Sequence, residues 1–170
     1  ISKKELENKL DFKLRSINII FTYHPVTLNL NQNKADLNMI LDALSELGRD
    51  VGILITKSNA DDGGRILNQE IDKFTAKNIN AKAYDALGQF LYYNCINIFD
   101  CVVGNSSSGL FEVPTFKKPT VNIGNRQKGR IRSKSVIDCN IDKNEITSAI
   151  LKAINMDCSD IVNPYGKGQS

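Results

Sequence analysis

The residue types best suited to chemistry cluster in one stretch, residues 100–132, which reads DCVVGNSSSGLFEVPTFKKPTVNIGNRQKGRIR. Ser106, Ser107 and Ser108 lie between Gly104-Asn105 and Gly109, just before the apolar pair Leu110-Phe111. Serine hydroxyls, glycines that admit close backbone approach, and the unpaired N–H groups of a helix N-terminus suit an anion. Glu112 follows Gly109 and Ser108 by three and four positions, which places all three on one helix face. A carboxylate repels phosphate, but it accepts both hydroxyls of a ribose diol. Arg126, Lys128, Arg130, Arg132 and Lys134 alternate through the following loop. They offer counter-charge, with Arg126 supplying a planar fork of donors. Diol acceptor, anion turn and counter-charge together describe a nucleoside diphosphate. Spacing alone leaves a second reading open, in which the turn only caps a helix and the basic loop is a solvated surface.

The single histidine, His24, follows an apolar run in Tyr23-His24-Pro25-Val26-Thr27. On an open α/β sheet it would lie beyond the carboxyl end of a strand, where ligands bind. A lone histidine also serves as an ordinary structural polar residue.

These residues need elements to hold them. Strands are expected over 18–22, 51–56, 80–84, 101–103, 119–123 and 135–139, from short β-branched runs bounded by turn residues. Between them lie helical patterns. Residues 33–48 carry Leu37, Ile40, Leu41, Leu44 and Leu47, ending at Gly48. Residues 64–78 turn Ile66, Leu67, Ile71 and Phe74 inward, and 86–98 present Leu87, Phe90, Leu91, Asn94 and Cys95 on one face. Asp142 and Glu145 form a capping box for a helix over 142–154. Pro114 requires a short or kinked element after Leu110. Strictly alternating strands and helices predict an α/β, Rossmann-like doubly wound parallel sheet of about six strands. Residues 1–14, with Leu6, Leu10 and Leu14 at helical spacing, read as a linker helix; 15–157 form the domain, and 158–170 a tail.

A chain of 170 residues is one ordinary domain, and 41% hydrophobic with 24% charged residues is a globular composition. A net charge of +3 suits a small anionic ligand and is too weak for nucleic acid. No run is long enough to span a bilayer, so no membrane partner is expected. Cys95, Cys101, Cys139 and Cys158 lack metal spacing and read as reduced thiols of a cytoplasmic protein. No metal and no cofactor is expected, since no GxGxxG nicotinamide fingerprint occurs. The start Ile1-Ser2-Lys3-Lys4, without Met, reads as that of a fragment.

The segment Gly104–Arg130, GNSSSGLFEVPTFKKPTVNIGNRQKGR, resembles the signature of the hydrolysing UDP-N-acetylglucosamine 2-epimerases, which supply N-acetylmannosamine for sialic acid synthesis. The non-hydrolysing epimerases typically carry an Asp-Ser-Gly-Gly turn, a paired Glu-Glu and a Thr-Glu-Arg-Pro loop; this chain has Asn105-Ser106-Ser107, a single Glu112 and Arg126-Gln127-Lys128-Gly129-Arg130. The resemblance implies the second domain of a GT-B-like two-domain fold, with the ligand in the interdomain cleft. His24 matches the histidine of a Phe-His-Pro-Val-Thr pattern, which implies a catalytic role at the sugar or diphosphate. Asn59 matches a position near the nucleotide in a Lys-Pro-Asn-Ala-Asp loop, from which Ser58 departs; read alone, Asn59 closes an Asx turn. Backbone around Leu87, in a segment similar to Ser-Leu-Gly-Gln, is implied to contact uracil, although core packing suits its side chain better. Ser106, Ser107, Gly109, Glu112 and Arg126 complete the implied UDP site. Asn163-Pro164-Tyr165-Gly166 resembles a turn that precedes a helix reaching back to the other domain.

The implied reaction eliminates UDP from UDP-N-acetylglucosamine and hydrates the resulting glucal. This chain offers groups for the leaving diphosphate, while the base at the sugar C2 belongs to the preceding domain. The chain alone is therefore expected to bind UDP weakly and to be inactive. The complete protein is expected to join this domain to its own N-terminal domain and to form a homo-oligomer. Two other classes share the features: a GT-B glycosyltransferase donor domain and a non-catalytic nucleotide-sugar sensor.

Overall fold

The computed structural model describes residues 1–59, 61 and 63–166; Ala60, Asp62 and the end of the expected tail, 167–170, lie outside the described residues. Six strands form one sheet: β1 (Ile17–Thr22), β2 (Val51–Thr56), β3 (Ala81–Tyr84), β4 (Cys101–Gly104), β5 (Thr120–Ile123) and β6 (Val136–Cys139). The order is β3-β2-β1-β4-β5-β6, with every pairing parallel. The chain thus winds outward from β1 to β3, then restarts at β4 on the other side of β1. That reversal leaves a crevice between β1 and β4, the place where such sheets bind ligands.

The register aligns the strand ends. Thr22 is level with Thr56 and Gly104, Thr56 with Tyr84, and Gly104 with Asn122. The loops bearing His24, Asn59, Leu87, Ser106 and Arg126 therefore all leave from one edge. Gly104 is required at the crevice, because φ is +137° and a Cβ would meet the Thr22 carbonyl oxygen at 1.8 Å.

Side chains alternate across the sheet. Ile19, Phe21, Ile53, Ile55, Cys101, Val103, Val121 and Ile123 pack beneath the helices α2 (Leu30–Ser45), α3 (Gly64–Lys77) and α6 (Lys143–Ile154). Ile20, Leu54 and Val102 face the other way, against α1 (Lys3–Leu10) and α4 (Gly88–Ile98). The stretch expected as a linker is thus part of the core. Leu6 is 0% and Leu10 2% exposed, because a helix this polar holds its place only by burying its apolar stripe. On α4 Cys95 is buried and Leu87 and Leu91 pack against this cluster as expected, but Phe90 is 61% exposed and Ile96 is buried instead. Asp142 caps α6 as expected by accepting from Glu145 N at 3.0 Å, but the Glu145 carboxylate returns to Asn140 N, leaving the box half made.

Pro114 acts as expected. Helix α5 (Ser108–Phe111) is one turn long and passes into a 3-10 turn, Val113–Phe116, with the proline in its first turn. Among the described residues no helix is long and apolar enough to cross a membrane. Leu6→Ala should lower stability by about 2–5 kcal/mol in urea denaturation, as a buried Leu truncation does; a change below ~1 kcal/mol would return α1 to the status of a linker.

Candidate functional site

Asn105, the residue after β4, is 0% exposed and joins three loops. Its Oδ1 accepts from His24 N at 2.7 Å, and its Nδ2 donates to His24 O at 2.9 Å. Its backbone N–H donates to Thr22 O at 3.1 Å. Its carbonyl oxygen accepts from Arg126 Nη1 and Gln127 Nε2, both at 3.0 Å. One asparagine thus ties the β1 loop, the β4 turn and the β5 loop together across the crevice.

Two clefts open on either side of this knot. The first, about 350 Å³, is lined by Thr22, Thr56, Leu87, Gly88, Gln89, Tyr92, Tyr93, Ser106, Ser108 and Glu112. Its aromatic wall is organised by hydrogen bonds. The Tyr93 hydroxyl donates to the Glu112 carboxylate, Gln89 Nε2 donates to the Tyr93 oxygen at 3.2 Å, and the Tyr92 and Ser108 hydroxyls pair at 2.6 Å. Burial pushes the Tyr92 phenol up to about 12, so it stays neutral. This cleft combines a flat apolar wall with one carboxylate, the furnishing a nucleoside requires.

The second cleft, about 320 Å³, is lined by His24, Pro25, Lys57, Ser58, Asn59, Asp61 and Arg126. Burial and the neighbouring Arg126 guanidinium hold the His24 imidazole below its ordinary value, so it is neutral near pH 7. Ser58 Oγ donates to Tyr23 O at 2.7 Å and lies 3.3 Å from His24 Nδ1. Arg126 gives this cleft the positive group that an anion needs, whereas the Lys57 ammonium is paired with Asp72 at 2.7 Å.

Of the residues singled out from the sequence, His24, Asn59 and Arg126 meet in the second cleft, and Leu87, Ser106 and Glu112 in the first. Gly109 and Ser107 line neither. Gly109 is buried against β5: a Cβ there would meet Thr120 Cγ2 at 2.6 Å, and its carbonyl accepts from Thr120 Oγ1 at 3.0 Å. Its lack of a side chain serves packing rather than ligand approach. Ser107 precedes α5 without a side-chain cap bond; Ser106 Oγ accepts from Ser108 N at 3.3 Å instead. A one-turn helix also carries little dipole, so an anion here must rely on hydroxyls and Arg126.

The alternating basic loop divides in the same way. Arg130 stacks over the Phe111 ring at 5.1 Å, and Arg132 pairs with Asp138 and donates to Gln127 O at 2.7 Å. They hold the loop, and only Arg126 of the five basic residues lines the clefts.

Over residues 1–170 the chain matches the family described as UDP-N-acetylglucosamine 2-epimerase. The chain belongs to that family. It is 39% identical over 143 residues to a GDP/UDP-N,N'-diacetylbacillosamine 2-epimerase (hydrolyzing) of Campylobacter jejuni, covering 84% of this chain and 37% of that protein. It is 35% identical over 155 residues to the polysialic acid biosynthesis protein P7 of Escherichia coli, covering 91% of this chain and 38% of that protein. The chain therefore spans well under half the length of these relatives. Its fold matches that of the Methanocaldococcus jannaschii UDP-GlcNAc 2-epimerase, solved in complex with UDP-GlcNAc and UDP, with TM-score 0.74 and 14% identity over 99% of this chain and 46% of that one. The doubly wound, GT-B-like fold expected from the sequence is the one found.

Several residues of this candidate site are not legible in the sequence. Tyr92 and Tyr93 were hidden within a helix read for its apolar face, though their two phenols beside Gln89 were a signal. In sequence Asn105 reads as part of the turn, and Ser58 only as a departure from a family loop. Only contacts between loops far apart in sequence reveal either. Asn105→Ala leaves the His24 N–H and C=O without their partner, so it should cost about 1–3 kcal/mol per stranded group in chemical denaturation. A loss of less than ~0.5 kcal/mol would mean that water replaces the amide and that the loops are not tied through it.

Proposed function

We propose that this chain holds the nucleoside diphosphate of a hydrolysing nucleotide-sugar 2-epimerase, with UDP-N-acetylglucosamine as substrate and N-acetylmannosamine and UDP as products. The uridine occupies the cleft of Leu87, Tyr93 and Glu112, and the diphosphate lies toward Ser106, His24 and Arg126. The observation that carries this reading is the adjacency of the two clefts around Asn105: a carboxylate beside an apolar wall on one side, and His24 with Arg126 on the other. Glu112 accepts the ribose hydroxyls, as acidic residues do in related nucleotide folds. To do so it exchanges or shares the Tyr93 hydrogen bond. Family membership and the fold shared with an enzyme solved with UDP-GlcNAc and UDP support the assignment.

In the elimination, a base takes the proton from the sugar C2, that electron pair forms the C1–C2 double bond, and the C1–O bond breaks with its pair leaving on UDP. Water then adds across the double bond, placing a hydroxyl on C1 and a proton on the opposite face of C2. Negative charge grows on the diphosphate as C1–O breaks, and Arg126 with the Ser106 hydroxyl opposes it most where it is greatest. The C2 base belongs to the preceding domain, so the chain by itself does not turn over.

One observation favours a modified sugar. The Campylobacter jejuni relative is named for N,N'-diacetylbacillosamine. Assaying the full-length protein with UDP-N-acetylglucosamine and with UDP-N,N'-diacetylbacillosamine, following released UDP and free sugar, decides between them. Release of neither product would refute the epimerase reading.

Arg126→Ala should weaken UDP binding by about 1.5–3 kcal/mol, the worth of a charge-assisted hydrogen bond, while leaving uridine almost unchanged. Calorimetry showing equal losses for both would move Arg126 off the diphosphate. Glu112→Ala should erase the preference for UDP over 2′,3′-dideoxy-UDP. A wild-type protein that binds both equally would make Glu112 only the partner of Tyr93.

A further inference from the structure

We infer that Ser58 is a positioning residue that fixes the His24 imidazole in its Nδ1–H form, so that Nε2 presents a lone pair to the ligand cleft. The argument rests on counting protons. A serine hydroxyl has one hydrogen, and the Tyr23 carbonyl oxygen can only accept. The 2.7 Å contact from Ser58 Oγ to Tyr23 O therefore consumes the serine proton. Toward His24 Nδ1, 3.3 Å away, the same oxygen has only lone pairs to offer. Nδ1 must then carry the hydrogen, and in the neutral ring Nε2 is left bare.

The backbone leaves the ring little freedom to escape this choice. Both the N–H and the C=O of His24 are held by the Asn105 amide at 2.7 and 2.9 Å. Ser58 is in turn held from behind, since its own carbonyl accepts from Asn68 Nδ2 at 3.1 Å. Among the described residues, the charged groups that share the cleft with the ring are Lys57, Asp61 and Arg126. The consequence for function, which rests on the reading of this cleft as the diphosphate side, is directional. A bare Nε2 accepts a proton or a hydrogen bond from a hydroxyl or N–H of the ligand. It donates to a phosphate oxygen only after taking up a proton, which a bound diphosphate favours and Arg126 opposes.

His24 is the only histidine of the chain, so its ring nitrogens can be observed without assignment ambiguity. Nitrogen-15 correlation spectra of the chain, labelled at histidine and recorded above the imidazole titration, read the tautomer directly. Wild type should show Nδ1 protonated and Nε2 bare. Ser58→Ala should move both nitrogens toward the averaged positions of a ring exchanging between tautomers, and Ser58→Thr, which keeps the hydroxyl, should restore the wild-type pattern. An Nε2–H ring in the wild type overturns the inference even if no variant folds. So does a Ser58→Ala spectrum identical to wild type. These spectra need no nucleotide: absence of UDP binding with an intact Nδ1–H signature would sink the proposed function and leave the Ser58 assignment standing.

Discussion

The Asn105 amide is buried and spends each of its polar groups on a neighbouring loop: one on the N–H of His24, one on its C=O. The backbone carbonyl of Asn105 takes a hydrogen bond from Arg126 and another from Gln127. A buried polar group without partners costs several kcal/mol, so the side-chain amide needs the His24 loop and the buried backbone carbonyl needs the Arg126 loop. That condition makes the site cooperative. The groups on either side of the crevice cannot drift independently, because they share one residue at the foot of the β1–β4 gap.

The same economy explains how the basic loop is used. Five positive side chains in nine residues would repel one another if all faced one cleft. Arg132 is instead neutralised by Asp138, and Arg130 lies on the Phe111 ring. Tyr165 completes the arrangement. Its ring packs edge-on against Phe111 at 4.5 Å, and its hydroxyl donates to Ile131 O. Asn163 Nδ2 reaches the Phe111 carbonyl and Thr115 Oγ1, each at 2.8 Å. The Asn163-Pro164-Tyr165 turn thereby straps α5 to the loop that carries Arg126. Charges two residues apart have different tasks because tertiary contacts hold Arg130 and Arg132 away from the clefts.

Proline sets the geometry of Glu112. With Pro114 in the first turn of the 3-10 segment, α5 stops at Phe111 and Glu112 takes the joint between the two short elements, at φ −110° and ψ −45°. Its carboxylate can then reach Tyr93 across from α4. A continuous helix would have carried it round with the α-helical period.

Sequence by itself determined the class of fold, the number and kind of strands, and which loops carry the polar residues that gather at one edge of the sheet. Those rest on local causes: β-branched runs between turn residues, apolar stripes at helical period, a proline inside a helix, and a turn of small polar residues with Glu112 close behind. It also determined the family, through a continuous segment, Gly104–Arg130, that needs no third dimension to read. Only the tertiary structure decided which of these residues work together. That Leu6 and Leu10 belong to the core, and that Phe90 does not, depends on which helix lies opposite. That Gly109 makes room for Thr120 is invisible until α5 sits on β5. The separation of Arg126 from Arg130 and Arg132, and the meeting of Ser58 with His24 across 34 residues of sequence, arise from parallel strands whose ends the register brings level. Chain-local patterns specify elements, whereas a site is made of contacts between loops that sequence order keeps apart.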